Sequence, residues 1–350
     1  MNREPVSPPR PRLPGGSEEA RRGLLSVVVP CLNEQEVLVE SNARLVSALQ
    51  QVPMNFEIIY VDDGSTDSSG ELLRNLQACD DRLRVVQFSR NFGHQMAITA
   101  GIEHASGDAI VVIDADLQDP PEVIGEFVQK WLDGYDVVYG VRTERDGETA
   151  FKLWTAKIFY RSISRLSDTP IPLDTGDFRL MDRRVADALL SMPERDRFVR
   201  GMVSWLGFSQ ASVPYRREQR KAGVTKFSLF KMVRFALDGI FSFSILPLRL
   251  ATWTGFLASV MALLGIIAVL IGKFFEMPGL VRGWSSTVIA VLFIGGVQLI
   301  CIGIIGEYVG RIYGESKHRP LYVVRDRMGF DKQNPASSPP REAMARAVKR

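Results

Sequence analysis

The sequence predicts an α/β protein with a doubly wound sheet, followed by a hairpin of two membrane-spanning helices. Three observations support this prediction. Short apolar runs alternate with helical patterns in the first part of the chain, and polar clusters follow several of these runs. Two long stretches without charged side chains occupy the last third of the 350 residues. The first pattern is typical of layered α/β domains, and the last is typical of membrane spans.

Four runs have the length and composition of buried strands. The first, LLSVVVP, is continuously apolar and ends at Pro30, as expected for a parallel strand covered on both faces. The other three are FEIIYVD, LRVVQF and DAIVVID. Helical patterns between the runs cover about residues 34–49, 69–79 and 95–105. Since ligands bind beyond the carboxyl ends of the strands in such sheets, we expect the polar clusters there to form a site.

Two stretches in the last third are long enough to cross a bilayer. Residues 250–272 and 283–306 carry no charged side chain, and each exceeds the roughly 20 residues needed to span the hydrocarbon core. Core helices of soluble proteins seldom run this long without a charge, which disfavours that alternative. Gly306, Gly310 and Gly314 have the spacing of a helix-packing face, within the hairpin or in a homo-oligomer.

Basic residues predict how the hairpin is oriented. The segment KFSLFKMVRFALDGIF, which begins at Lys226, suits a helix in the membrane interface, although an amphipathic surface helix has the same pattern. Lys273 and Arg282 are the only basic residues in the link between the two stretches, whereas the outer flanks are richer in lysine and arginine. The positive-inside rule therefore predicts a multi-pass protein of the inner or plasma membrane with both termini in the cytoplasm.

Composition and missing motifs exclude several classes of protein. A net charge of +3 gives no indication of nucleic-acid binding. Cys31, Cys79 and Cys301 form no pattern typical of a zinc site or a disulfide framework. His94 and His104 have no partner at metal-ligand spacing, so neither is predicted to be a ligand. No GxGxxG follows the first strand and no Walker A sequence occurs, which argues against dehydrogenases and P-loop NTPases.

Pairs of carboxylates follow two of the predicted strands. Asp114 and Asp116 would repel each other unless a divalent cation and a phosphate group neutralised them, so the spacing favours a metal–diphosphate site. The same triplet also occurs as a solvated turn. Asp62 and Asp63 end another strand, where a carboxylate can accept hydrogen bonds from a base or a ribose. The alternative for this pair is a turn or a helix cap.

Six motifs in this order resemble family 2 of the glycosyltransferases. They are VVVPCLNEQE, VDDGSTD, SRNFG, VIDADLQDPPE, TGDFRLMDR and the late pair of apolar stretches. The resemblance covers about residues 24–325 and is stronger to the polyprenyl-phosphate branch, which includes bactoprenol glucosyltransferases and dolichyl-phosphate mannose synthases. It implies a GT-A nucleotide-sugar-binding fold and inverting transfer of a hexose to a polyprenyl phosphate, such as undecaprenyl phosphate, for cell-envelope glycosylation. UDP-glucose is the first donor expected, with other UDP-sugars and GDP-mannose as alternatives.

The resemblance also implies functions for particular side chains. The nucleotide pocket would be formed by Pro30, Asn33, Glu34, Asp62, Asp63 and Asp114. Mg²⁺ or Mn²⁺ and the diphosphate would be held by Asp114, Asp116 and Gln118. Asp177 would be the catalytic residue near the reacting sugar. The lipid phosphate would be bound by Arg142, Arg179, Arg220 and Lys226. A simpler alternative exists for the acidic and for the basic residues, since aspartate often caps a turn and arginine is commonly solvated.

The expected organisation follows from these assignments. We predict a disordered lead, a GT-A catalytic domain, juxtamembrane or interfacial helices, two transmembrane helices, a cytoplasmic segment and a disordered tail, over residues 1–23, 24–225, 226–248, 249–310, 311–330 and 331–350. A processive polysaccharide synthase would carry QxxRW and more spans. A catalytically inactive scaffold would not need the repulsive set of Asp114, Asp116 and Asp177.

Overall fold

The computed structural model describes residues 23–143, 175–218, 246–274 and 284–330. These residues form two units. The larger unit contains the described residues up to 218 together with 320–330, and the smaller unit contains those between 246 and 319. Two predicted site residues, Arg220 and Lys226, lie outside the described residues, as do most of the predicted interfacial segment and both predicted disordered ends.

A mixed sheet of eight strands forms the centre of the larger unit. The strands are β1 (Leu24–Cys31), β2 (Asn55–Asp62), β3 (Leu83–Phe88), β4 (Ala109–Val112), β5 (Val137–Arg142), β6 (Thr175–Asp182), β7 (Gln210–Tyr215) and β8 (Val324–Met328). Their spatial order is β7-β5-β6-β4-β1-β2-β3-β8. The four predicted strands are confirmed as the parallel centre, β4-β1-β2-β3. The sheet as a whole is mixed, because β6 and β8 run antiparallel to their neighbours.

Helices cover both faces of this sheet, as predicted for a doubly wound fold. They are α1 (Leu38–Leu49), α2 (Ser69–Cys79), α3 (His94–His104), α4 (Ile124–Leu132), α5 (Arg183–Ser191) and α6 (Val199–Trp205). The first three correspond to the predicted helices. The helix α1 begins four residues later than predicted, because the N–H groups of Val37 and Leu38 both bond to the carbonyl of Glu34 and close a turn first.

Alternate side chains of β1 enter two separate cores. Val27 and Val29 pack on the face covered by α1, α2 and α4, while Val28 packs on the face covered by α3, α5 and α6. Each such buried side chain stabilises the fold by roughly 1.5–3 kcal/mol. The approach of α3 to β1 requires Gly101, because a Cβ there would lie 2.1 Å from Cγ1 of Val28. This close packing fixes the amino end of α3 near the carboxyl ends of the strands.

The eighth strand is a feature that the sequence analysis missed. β8 comes from the segment after the apolar stretches and pairs with the edge strand β3. Tyr322 anchors it, since its ring stacks on Phe88 at 4.8 Å between centroids and its hydroxyl donates to Oε2 of Glu103 at 2.5 Å. The strand VRDRM is mostly charged and exposed, so it lacks the apolar pattern by which buried strands are recognised.

The smaller unit consists of two long helices that contact each other, α7 (Leu246–Phe274) and α8 (Trp284–Ser316). At 1.5 Å per residue they are about 44 and 50 Å long. Within the described part of the chain, one segment, Phe293–Ser316, is long and apolar enough to cross a membrane, with a mean hydropathy of 1.6. A shorter apolar segment covers Ala251–Gly265.

The glycines predicted to form a packing face lie near the end of α8. A Cβ added at any of the three, Gly306, Gly310 or Gly314, would meet no atom of another described element within 4 Å. The described part of the hairpin therefore does not use this face for its own packing.

Candidate active site

Two aspartates meet at one edge of the sheet because of the way β4 and β6 pair. The strands are antiparallel, and Val112 lies opposite Arg179. Continuing this register by two residues, past the end of β4 and toward the start of β6, places Asp114 opposite Asp177. The predicted metal ligand and the predicted catalytic residue, far apart in sequence, are thus brought together by the topology.

His94, the first residue of α3, lies between these carboxylates. Its Nε2 is 3.6 Å from Oδ1 of Asp114 and 3.3 Å from Oδ2 of Asp177. Partial burial lowers the pKa of the imidazole. The hydrogen bond to Asp177 and the charges of Asp114, Asp177 and Asp63 outweigh this effect and raise the pKa to about 9. His94 is therefore a cation at neutral pH that partly offsets the acidic cluster.

Asp177 is an ionised carboxylate held by several donors. Gln95 Nε2 donates to its Oδ2 at 3.1 Å, and Arg200 Nη2 lies 3.7 Å from its Oδ1. Burial favours the neutral acid, but the hydrogen bond from His94 and the charges of Arg200 and Arg179 hold the pKa of this carboxyl well below its usual range. The buried Oδ1 accepts no hydrogen bond from the described residues and has the Arg200 guanidinium as its charged neighbour.

Arg179 lies beside Asp177 but does not reach the surface. It is 3% exposed, and its Nη2 donates to the carbonyl of Gly176 at 2.9 Å. Burial lowers the pKa of its guanidinium to about 10, although Asp177 opposes this. A side chain at this depth cannot meet a lipid phosphate without rearrangement, which argues against the predicted contact. In the structure its positive charge helps to lower the pKa of Asp177.

The pair Asp114 and Asp116 fits a divalent cation. Oδ1 of Asp114 is buried and accepts no hydrogen bond within the described part of the chain. Burial raises the pKa of Asp114 to about 6, with His94 opposing and Asp119, Asp177 and Asp116 adding to the rise. A nearby cation would favour the ionised form of such a group.

The ligands for that cation would be few. Among the described residues, no group of three or more His, Cys, Asp or Glu side chains could hold a metal. One or two carboxylates completed by phosphate oxygens and water are the set that Mg²⁺ commonly takes. Gln118 is the next predicted ligand, and its N–H bonds to Oδ1 of Asp116 at 3.2 Å. The residues therefore fit a cation that binds together with a diphosphate.

Arg142 is positioned by two residues that the sequence analysis did not single out. It lies opposite Tyr215 in the pairing of β5 with β7, and its Nε donates to the Tyr215 hydroxyl at 3.3 Å. That hydroxyl donates in turn to Oδ1 of the buried Asp119 at 2.5 Å. The half-buried guanidinium is thereby oriented before any phosphate binds.

The predicted nucleotide residues lie at the carboxyl ends of β1 and β2, where two of the carboxylates are engaged by the fold. Asp62 accepts from the Ser65 N–H at 2.8 Å and from Gln87 Nε2 at 2.7 Å. Asp63 accepts from the N–H groups of Phe92 and Gly93, at 2.7 Å for the former. Both aspartates therefore order the loops around the predicted pocket. This agrees with the alternative in which the pair stabilises a turn.

The remaining nucleotide residues connect the loop after β1 to the turn after β2. Pro30 is buried within β1. Asn33 adopts a left-handed conformation with φ of 55°, and its Oδ1 accepts the N–H of Thr66 at 2.8 Å. The N–H of Glu34 donates to the Ser69 hydroxyl at 3.0 Å. The structure thus places all of these residues around one pair of loops.

The sequence analysis missed three groups that contact the central aspartate, His94, Gln95 and Arg200. The first two directly follow the quoted motif SRNFG, so their position in sequence was a usable signal. Arg200 lies in FVRGMVSW, which matched no motif. Its proximity to Asp177 depends on how α6 packs, which no local pattern reports.

Comparisons with known proteins identify two family models that match this chain. Residues 26–190 match the model of glycosyl transferase family 2, and residues 246–312 match that of the GtrB C-terminal hairpin. Among solved structures, the chain is similar to the mannosyltransferase PcManGT from Pyrobaculum calidifontis in complex with GDP-Man and Mn²⁺. That similarity has 16% identity and a TM-score of 0.43, and covers 93% of this chain and 81% of the other.

Curated relatives match almost end to end. The uncharacterized glycosyltransferase YkcC of Bacillus subtilis is 51% identical, with 87% of this chain and 94% of the relative covered. The bactoprenol glucosyl transferase of Shigella phage SfV is 42% identical, with 86% and 98% covered. The prophage bactoprenol glucosyl transferase homolog of Escherichia coli is 40% identical, with 86% and 98% covered. The chain therefore belongs to family 2 of the glycosyltransferases, with a GT-A catalytic fold and a GtrB C-terminal hairpin.

Proposed function

We propose that the protein transfers a hexose from a nucleoside diphosphate sugar to a polyprenyl phosphate, with inversion at the anomeric carbon. UDP-glucose is the first candidate donor and undecaprenyl phosphate the first acceptor, because relatives at 40–42% identity are named bactoprenol glucosyl transferases. The observation that carries the proposal is the meeting of Asp114 and Asp177 around His94, in a chain that also has the GtrB hairpin.

The donor would bind along the carboxyl edge of the parallel strands. Asp114 and Asp116, with Gln118, would hold Mg²⁺ or Mn²⁺ against the diphosphate. When bound, the cation would neutralise charge that develops on the leaving nucleotide. Pro30, Asn33 and Glu34 would line the nucleotide pocket. Asp62 and Asp63 would shape it through the backbone groups that they already hold.

The acceptor changes what is required of Asp177. A phosphate monoester has a second pKa of about 6, so its oxygen is largely ionised at neutral pH and needs no base to remove a proton. A carboxylate whose pKa is held low is itself a weak base. We therefore assign Asp177 to orient the sugar or to stabilise positive charge developing at its ring. Its Oδ1, which accepts no hydrogen bond from the described residues and lies 3.7 Å from Arg200, is the candidate atom.

Basic side chains would hold the acceptor phosphate in line with the anomeric carbon. Arg142 is the described candidate, because Tyr215 and Asp119 already orient it. Arg220 and Lys226 remain predictions for the same task. Repulsion between the two phosphate groups would otherwise oppose the approach of the acceptor.

The hairpin would keep the enzyme with its lipid acceptor. We propose two spans with both termini in the cytoplasm, where nucleotide sugars are made. The support is the distribution of lysine and arginine around the apolar stretches and the match to the GtrB hairpin. Association of copies through the unused glycine face of α8 remains a prediction.

The test is direct. Purified full-length protein is incubated with undecaprenyl phosphate and a panel of UDP-sugars and GDP-mannose, with Mg²⁺ or Mn²⁺ and again with excess EDTA. We expect a glycolipid by mass spectrometry, most rapidly with UDP-glucose, a β-linkage by NMR and no product in EDTA. A retained α-linkage would exclude single displacement. Failure of every donor would refute the transferase proposal in favour of an inactive scaffold.

A further inference from the structure

Gln95, the second residue of α3, connects three elements through one amide group. Its Nε2 donates to Oδ2 of Asp177 on β6 at 3.1 Å, and its Oε1 accepts the N–H of Val199 at 2.9 Å. Val199 begins α6, the helix that also carries Arg200. The Arg200 guanidinium lies 3.7 Å from the other oxygen of Asp177. The amide therefore joins the sheet, α3 and α6 at a single carboxylate.

Only one orientation of this amide satisfies both neighbours. A backbone N–H can only donate, so the oxygen of Gln95 must face Val199. The NH₂ group is then directed at Asp177, and an ionised carboxylate can only accept. The resulting bond is charge-assisted and stronger than a bond between neutral groups. Glutamine fulfils this arrangement, whereas glutamate of the same length would place a second negative charge against Asp177.

The bond also determines what surrounds each oxygen of Asp177. Oδ2 is occupied by Gln95 and by His94. Oδ1 is buried and accepts no hydrogen bond from the described residues. Without the amide, the carboxylate could rotate and exchange its two oxygens, or move toward the cation of Arg200.

We propose that Gln95 is a positioning residue for sugar transfer, which fixes the orientation of the Asp177 carboxylate and couples α6 to that geometry. The inference rests on the proposed function of Asp177. Gln95 itself does not touch the sugar. Its loss should therefore lower the rate of the chemical step more than it weakens donor binding, because misplacing a reacting group by about 1 Å can cost about 100-fold.

The experiment compares Gln95→Leu and Gln95→Glu in the full-length enzyme, with the donor and lipid that give the glycolipid. We expect kcat to fall about 10- to 100-fold in both variants, while KM for the donor changes by less than about threefold. The double variant Gln95→Glu with Asp177→Asn reverses the donor and acceptor across the same bond. It should recover the thermal stability lost in Gln95→Glu without recovering turnover.

Gln129 supplies a matched control. Its Nε2 donates to Oδ1 of Asp133 at 3.2 Å on the exposed side of α4, so Gln129→Leu and Gln129→Glu make the same chemical changes away from the site. Both should keep wild-type kcat. Wild-type kcat in Gln95→Leu would overturn the inference, as would a fall in kcat matched by an equal rise in KM and loss of stability.

A further arm separates this inference from the proposed function. If Asp177→Asn keeps full turnover, the proposed action of Asp177 fails, and the positioning inference that depends on it fails for that reason. If Asp177→Asn is inactive and Gln95→Leu is fully active, the inference about Gln95 alone is wrong. The stability of the reversed pair is measured without any donor and reports on the bond itself.

Discussion

The two ends of β6 carry aspartates in opposite circumstances. At the amino end, Asp177 keeps one buried oxygen without a hydrogen bond, and the neighbouring Arg179 keeps its Nε without one among the described residues. At the carboxyl end, Asp182 accepts from the indole of Trp131 at 3.0 Å, and from the N–H and Nε of Arg184 at 3.0 and 2.9 Å.

The satisfied end is part of a wider network. Arg184 also donates to Asp136 at 2.8 Å, and the other oxygen of Asp136 accepts from the hydroxyl of Ser209 at 2.7 Å. The strands β6 and β7 and the helices α4 and α5 are thereby joined. Buried polar groups that are fully paired make a fold rigid, whereas unpaired ones cost stability unless a ligand satisfies them. The same strand thus carries a fully paired aspartate at one end and an incompletely paired one at the other.

The largest effect expected is on the chemical side, with Asp114→Asn. We expect turnover to fall by about three orders of magnitude, because the proposed cation would lose one of its ligands. The free energy of unfolding should stay the same or rise, since burial disfavours the ionised form of Asp114. Single-turnover kinetics and urea unfolding in detergent measure the two quantities. A large loss of stability would show that Asp114 belongs to the structural class instead.

An aspartate-to-asparagine substitution at the carboxyl end of β6 should instead lower stability and leave turnover almost unchanged. Asp182→Asn removes a charge that accepts bonds from Arg184 and Trp131, so we expect the free energy of unfolding to fall by about 1–3 kcal/mol. Turnover of the protein that remains folded should change little. Asp187→Asn serves as control, because its pair with Arg183 is largely exposed and such pairs contribute about 0–1 kcal/mol. Equal effects of the two substitutions would contradict the comparison.

The smallest expected effect is on how the stability contributed by Asp182 depends on pH. Burial raises the pKa of Asp182, but the bonds from Arg184 and Trp131 outweigh it and lower the pKa below its usual range. Its stabilising contribution is therefore complete above the unfolded value of about 3.9 and is lost as the pH falls through the folded value. Denaturant midpoints of the wild type and Asp182→Asn should converge between about pH 5 and pH 2. A constant difference across that range would contradict this explanation.

The sequence was sufficient for the parallel centre of the sheet and for the aspartates at its edge. Buried strands and the helices between them leave strong local patterns, and the carboxyl ends of parallel strands lie together by topology. The apposition of Asp114 and Asp177 was not accessible in this way. It depends on β6 pairing with β4, and no short-range pattern specifies which strands become neighbours.

Two other side chains show what spacing along the sequence does not report. His94 was not predicted to be a metal ligand, because no other ligand lies at metal spacing along the chain. The structure places it beside the carboxylates of Asp114 and Asp177, which are distant from it in sequence. Arg179 was placed at the lipid phosphate because it is basic and lies near Asp177 in sequence. Strand alternation puts it on the same side as Asp177, but packing leaves it only 3% exposed.

The return of the chain as β8 bears on biosynthesis. The strand β3 is completed along its outer edge only after both helices of the hairpin have been made, since Val324–Met328 follows them in sequence. Until then, a nascent catalytic unit exposes an unpaired edge and lacks the tyrosine that covers Phe88. Translation from the amino terminus therefore completes this edge of the sheet last.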